Sequence, residues 1–346
     1  MGVDELLTSV GDGVGHLTLN RPDDLNVITH AMVLGILGAL ERWRTDPEVS
    51  LIILDGAGEH GLSAGGDVRV LHANAVTGRN DLSRRFWYDE YELCATLAEY
   101  PKPIVSIMDG LTLGCGVGIS AHAGIRIVTE RSRIAMPDTR VGFSPDAGCT
   151  HLLSRAPGHV GTYLALNGAT MTGPDAVACG FADYYVPSDL LRHLYQALGE
   201  RADPGSPAEI VLLFDETPPP SELLARRIWI DRCYSGDSVA DILERLGSEA
   251  DRDARHAADE LTRYSPLALT VALAAVREAR RLGTLRASLE LEYRVASWLA
   301  DQPDWTEGIR AQVLDRDGSP RWMPSTLAAV PAGVAEAALQ SQPPKH

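Results

Sequence analysis

Two glycine-rich stretches and three carboxylates stand out as groups able to do chemistry together. Residues 63–67 read Ser-Ala-Gly-Gly-Asp, and residues 114–118 read Gly-Cys-Gly-Val-Gly. Each stretch can present a backbone N–H with no bulky side chain in the way. Two such donors converging on one oxygen make an oxyanion hole, where one donor is worth about 2.7–4 kcal/mol in acyl chemistry. Asp138 and Asp146 lie in proline-bounded loops beside apolar residues, a setting in which desolvation raises a carboxyl pKa and suits it to acid, base or nucleophile work. A bland reading stands next to each: the glycines serve close packing, and the aspartates cap turns. Glu90 falls on the stripe of Leu82, Phe86, Leu93 and Leu97 in a helical stretch over 80–99. A carboxylate facing inward is costly unless it is paired or used; otherwise the helix lies on the surface near it.

Other chemistries find less support. A dinucleotide fingerprint starting at Gly114 would need glycine at 119, which is isoleucine. No G-x-S-x-G elbow and no phosphate-loop lysine motif occurs. His122 follows an apolar helix start and reads as a core histidine. The five cysteines (Cys94, Cys115, Cys149, Cys179, Cys233) lack C-x-x-C spacing, which points to reduced thiols and no metal site.

The surrounding elements must position these groups. Residues 104–108 read as a buried strand closed by Asp109-Gly110, and residues 119–123 as the start of a helix. A hairpin over 5–20 and a short strand at 51–54 precede it, with a helix between them capped by Thr29. Strands at 125–128, 133–136 and 181–186 follow, with a helix from Thr172 to about Gly180. The alternation predicts an α/β fold up to about residue 187. The chain order reads as a core over 1–200, a proline-rich linker over 201–222, a helical region over 223–332 and a fraying tail over 333–346.

With 346 residues and 45% hydrophobic content, the chain can bury a large core. Its net charge of -16 argues against nucleic acid or an anionic membrane as partner, so an anionic substrate would need local cations; Arg69, Lys102 and Arg126 lie near the motifs. No stretch suits a membrane span, and no signal peptide is indicated, so the expected location is cytoplasmic.

The stretches LNRPDDLNVI, SAGGDVRVL, KPIVSIMDGLTLGCGVGIS and TGPDAVACGFADYYV resemble the crotonase, or enoyl-CoA hydratase/isomerase, superfamily. The segments DEYEL, MPDTRVGFSPDAG and EYRVASWLADQPDWTEGIRAQVLDRDGSPRWMPSTL resemble its 3-hydroxyisobutyryl-CoA hydrolase branch. The resemblance implies a spiral of ββα units with a helical C-terminal region, an acyl-CoA thioesterase activity of the kind used in valine breakdown, no cofactor beyond the coenzyme A of the substrate, and possible homo-oligomers. It implies oxyanion donors at the N–H groups of Gly66 and Cys115, and catalytic carboxyls at Asp138 and Asp146. It also implies a substrate contact at Glu90 and a coenzyme A path along Ala64, Gly65, Asp67, Gly114 and the segment Leu25, Asn26, Val27. Asp138 stands where the hydrolases carry glutamate; one methylene withdraws the carboxyl by ~1.5 Å, and a misplacement of about 1 Å can cost ~100-fold in rate. Cys115 replaces a usual glycine, and Ser144 and Cys149 replace an aromatic or aliphatic residue and a glycine. The first acid of the hydratases would fall on Gly118, which speaks against standard hydration. An isomerase or atypical hydratase reaction, and a non-catalytic acyl-CoA binder, remain the competing readings.

Overall fold

The computed structural model describes residues 4–200 and 206–342. It forms two compact units, each discontinuous in sequence, whereas the sequence reading divides the chain in order.

The first unit comprises Met1–Gly66, Glu92–Ile134 and Met171–Ser221. Its strands are β1 (Leu6–Gly11), β2 (Val14–Leu19), β3 (Leu51–Gly56), β4 (Ile104–Met108), β5 (Leu111–Leu113), β6 (Ile125–Val128), β7 (Arg133–Ala135), β8 (Met171–Thr172) and β9 (Tyr184–Tyr185). A six-stranded sheet runs β1-β2-β3-β4-β6-β9, and a three-stranded sheet runs β5-β7-β8. Only the β1–β2 hairpin is antiparallel in the larger sheet; β2, β3, β4, β6 and β9 pair in parallel. The hairpin closes through Asp12 and Gly13, both at positive φ, the geometry that suits a tight turn between right-twisted strands.

A parallel sheet is covered on both faces, so its strands read as continuous apolar runs. Ile53, Val105, Ile107 and Ile127 share one buried cluster with Leu194, Leu198, Ile210 and Val211. The last two belong to a helix, Pro207–Leu212, inside the stretch expected to be a linker. Pro207 sits at that helix's start and Pro218 to Pro220 in the loop after it, where they do no harm; residues 201–205 of that stretch lie outside the described residues. Thr29 and Thr172 cap the helices His30–Trp43 and Gly173–Cys179 as the sequence predicts, the second ending on left-handed Gly180.

The second unit comprises Asp67–Tyr91, Ala135–Thr170 and Glu222–His346 and is helical. Helix Pro266–Leu282, capped by Ser265 and ended by Gly283, packs against Cys149–Arg155, Val160–Asn167, Leu285–Leu299 and Val334–Leu339. The last of these corrects the expectation of a fraying tail over 333–346. Ala338 is fully buried there, so contact with the long helices orders a segment too short to be a stable helix alone. Residues 343–346 lie outside the described residues.

Candidate active site

In the first unit the two glycine turns abut. Ser63 pairs with Thr112 and Ile28 with Gly66 in isolated bridges, and Leu113 N–H donates to the Ser63 carbonyl at 2.9 Å. Gly65 has φ +102°, and a Cβ placed on it would stand 3.1 Å from the Leu113 carbonyl oxygen and 3.9 Å from the Cys115 nitrogen. Only glycine allows both that dihedral and that approach. Gly114 sits at φ 49°, ψ −121°, and the helix Cys115–Ser120 begins on the very next residue. The sequence reading starts that helix at 119. The structure moves the start to 115 because one glycine completes the reversal alone. Cys115 N–H is therefore among the first four amides of a helix, which have no carbonyl one turn back.

The same frame shows what the neighbouring segment does. Leu25 and Asn26 are both left-handed. The buried Asn26 amide donates to the carbonyls of Ala57 and Gly61 at 2.9 and 3.1 Å, and its oxygen accepts from Arg21 N–H. Its side chain is thus part of the scaffold, leaving Leu25 exposed and Val27 half-buried. Ala64 N–H donates to the Leu25 carbonyl, which ties this segment to the 63–66 turn.

In the second unit, Asp138 and Asp146 lie at either end of a short loop. Asp138 opens a single 3-10 turn, Asp138–Val141, and Phe143 N–H returns to the Asp138 carbonyl at 3.0 Å. Between them Phe143 stacks against Trp87 and Trp305, with centroids 5.4 and 4.4 Å away. This apolar packing belongs to a buried stretch over 142–146, while Asp138, Arg140 and Val141 are half-buried. Oδ2 of Asp138 is buried without a hydrogen-bond partner among the described residues. Oδ2 of Asp146 accepts the Tyr91 hydroxyl at 2.7 Å.

Electrostatics follow from that burial. Desolvation lifts Asp146 from 3.8 to about 6, opposed by the Tyr91 hydrogen bond. Asp138 is raised well above the aspartate range, first by desolvation and then by the charge of Asp146. Both carboxyls therefore keep their protons to higher pH than an ordinary aspartate, each chiefly through desolvation, and they titrate as a pair. Glu90 is 1% exposed, so the inward face expected of it is real; Leu82, on the same predicted stripe, is exposed.

Other expected roles divide. Asp67 caps helix Val68–Val76 by accepting from Val70 N–H. Of the three cations near the motifs, Lys102 is engaged by the Trp43 and Asp46 carbonyls, and Arg126 pairs with Asp183 at 2.6 Å and binds the Gly180 carbonyl. Both hold the scaffold, and Arg69 alone is exposed. His122, Ser144 and Cys149 are buried. Among the described residues no cluster of three His, Cys, Asp or Glu could hold a metal ion.

Sequence reasoning missed two residues. Tyr91 lies beside Glu90 but carried no role. Glu292 is 1% exposed on helix Leu285–Leu299, on the buried stripe of Leu289, Val295, Ala296 and Leu299. Like Glu90, Glu292 is a carboxylate on an inward helix face, costly there unless it is paired or used. Its carboxyl accepts Gly148 N–H at 2.6 Å and Thr150 N–H at 2.9 Å, together with the Thr150 hydroxyl. Burial pushes Glu292 up to about 8 in spite of those donors, with the Asp146 charge adding to the rise.

Comparison with known proteins bears on what this arrangement does. A family profile described as enoyl-CoA hydratase/isomerase matches residues 14–339. The 3-hydroxyisobutyryl-CoA hydrolase, mitochondrial, of Danio rerio is 36% identical over 337 residues, covering 95% of this chain and 87% of that protein. The probable 3-hydroxyisobutyryl-CoA hydrolase 3 of Arabidopsis thaliana is 35% identical over 334 residues, covering 93% and 88%. The crystal structure of a carnitinyl-CoA dehydratase from Mycobacterium thermoresistibile superposes with a TM-score of 0.94 at 43% identity, covering 99% of this chain and 98% of that one.

Proposed function

Because this chain belongs to the enoyl-CoA hydratase/isomerase family and has its crotonase-like fold, we propose that it is an acyl-CoA thioester hydrolase acting on 3-hydroxyisobutyryl-CoA or a similar short 3-hydroxyacyl-CoA. A place in valine breakdown belongs to the same proposal. The observation that carries it is the carboxyl pair: Asp146 held by Tyr91, and Asp138 with a buried, unsatisfied Oδ2. An orphaned buried acceptor is costly, and a water that donates to it removes that cost.

In the proposed reaction the thioester oxygen receives the N–H groups of Gly66 and Cys115, and charge developing on it is stabilised there. Asp138 attacks the carbonyl carbon or takes a proton from an attacking water. Collapse of the tetrahedral adduct breaks the C–S bond. Where water attacked, the thiolate leaves as coenzyme A thiol with the proton Asp138 took from that water. Where Asp138 attacked, the thiolate takes a proton from solvent, and a water then hydrolyses the mixed anhydride, freeing the acid and the Asp138 carboxyl. A carboxylate with a raised pKa is the stronger base once ionised. Asp146 and Glu90 position the acyl hydroxyl or assist the proton transfer. The five cysteines are buried and suit a reducing compartment such as the cytoplasm.

The dehydratase named above favours a second reading, in which water is added to or removed from an enoyl group. Against it, Gly118, where the resemblance would require the first acid of a hydratase, is a buried glycine inside helix Cys115–Ser120. One substrate panel separates the readings. Free thiol released from 3-hydroxyacyl-CoAs supports hydrolysis, loss of enoyl absorbance without thiol supports hydration, and binding without turnover supports a non-catalytic binder. Asp138→Asn is expected to abolish thiol release and spare coenzyme A ester binding; full activity in that variant refutes the role given to Asp138.

A further inference from the structure

We propose that Glu292 is a positioning residue for the hydrolytic site, its buried carboxyl clamping residues 148–150 and thereby fixing the loop that carries Asp146. The inference rests on the hydrolase reading above.

Helix Cys149–Arg155 begins after Gly148, which has no side chain to cap it. The first amides of a helix need acceptors from elsewhere, and Glu292, from a helix far along the chain, supplies both of its oxygens: Oε2 to Gly148 N–H and Oε1 to Thr150 N–H and hydroxyl. The backbone just before is unusual. Ala147 and Gly148 are both left-handed, at φ 54° and 80°. A non-glycine residue there persists only when its surroundings over-determine it. Among the described residues those surroundings include two side-chain tethers, Tyr91 on the Asp146 carboxyl and Glu292 on the Gly148 and Thr150 amides.

A carboxyl is an expensive tether in an apolar interior. Glutamine at 292 could accept with its oxygen but would turn an NH2 donor toward the other amide, so only a carboxyl serves both. The charge of Asp146 also helps raise the Glu292 pKa, which places the tether within electrostatic reach of the acid it positions. A clamp next to the chemistry acts on the geometry of Asp146, and thus on turnover more than on binding.

The test uses the full chain and four variants: Glu292→Gln, Thr150→Val, Asp146→Asn, and Glu292→Gln combined with Asp146→Asn. Thiol release gives kcat and KM, and hydrogen exchange is followed by mass spectrometry on peptides covering 146–151. For Glu292→Gln we expect kcat to fall at least ~10-fold with KM within ~2-fold, and exchange to quicken in the 146–151 peptides alone. Thr150→Val, which removes one of three donors, should show a smaller loss of the same kind and carries the test if Glu292→Gln does not fold. In the Asp146→Asn background Glu292→Gln should change kcat by less than ~2-fold, because residues acting as a unit are not additive. Unchanged kcat and exchange in Glu292→Gln, or the same fold-loss with and without Asp146, overturns the proposal. If the wild-type chain releases no thiol from any ester while exchange still quickens locally, the hydrolase reading fails and the clamp stands.

Discussion

Replacing Asp146 by asparagine is expected to stabilise the protein while damaging the reaction proposed for it. Asp146 is 7% exposed and ionises at about 6 in the folded chain against an ordinary 3.8. A folded pKa above the unfolded one means that the folded state binds more protons between the two values. Stability is then fully present below 3.8 and is lost as pH rises to about 6. At about 1.4 kcal/mol per tenfold change in proton affinity, the ionised carboxylate costs roughly 3 kcal/mol at pH 8 and about half of that at pH 5. Asparagine has nearly the same shape, still accepts the Tyr91 hydroxyl, and carries no charge. Asp146→Asn should therefore gain up to about 3 kcal/mol at pH 8, with the gain about halved at pH 5. The measurement is urea unfolding of both proteins at pH 5, 6, 7 and 8, read by linear extrapolation, with thiol release measured on the same samples. A gain that is absent, or that does not grow with pH, would show that the carboxylate is well solvated or well paired and that desolvation is not what sets its pKa. A variant that gains stability and loses turnover would fit an acid kept in a costly place for its chemistry.

Two further outcomes test other parts of the site. If Asp138 must be ionised to act, kcat/KM should rise with pH along a limb displaced above the ordinary aspartate range, because burial and the Asp146 charge both raise Asp138; Asp146→Asn should move that limb to lower pH, and a limb near ~4 in the wild type refutes the base assignment. Gly65→Ala forces a side chain onto φ +102° within 3.1 Å of the Leu113 carbonyl oxygen; it should cost about 1–3 kcal/mol in urea unfolding and lower kcat by displacing the turn from Cys115.

The sequence alone determined the features whose causes are local. Thr29 and Thr172 announce helix starts because a hydroxyl reaches an amide three residues on. The apolar runs at 51–54 and 104–108 announce buried strands. Glu90 betrays its inward direction by its place on a helical stripe, and the glycines at 65 and 114 mark dihedrals no other residue adopts easily. Only the tertiary structure decided the rest. It turned Asn26, Lys102 and Arg126 to holding the scaffold, made a packed helix of 207–212 and another of 334–339, and brought Glu292 to amides 144 and 142 residues away. It also raised the two aspartates, because a pKa answers to the water that packing removes and to charges that the fold brings near. Spacing along a chain records neither, since hydrogen bonds and desolvation depend on distance in space, and folding sets that distance between residues far apart in sequence.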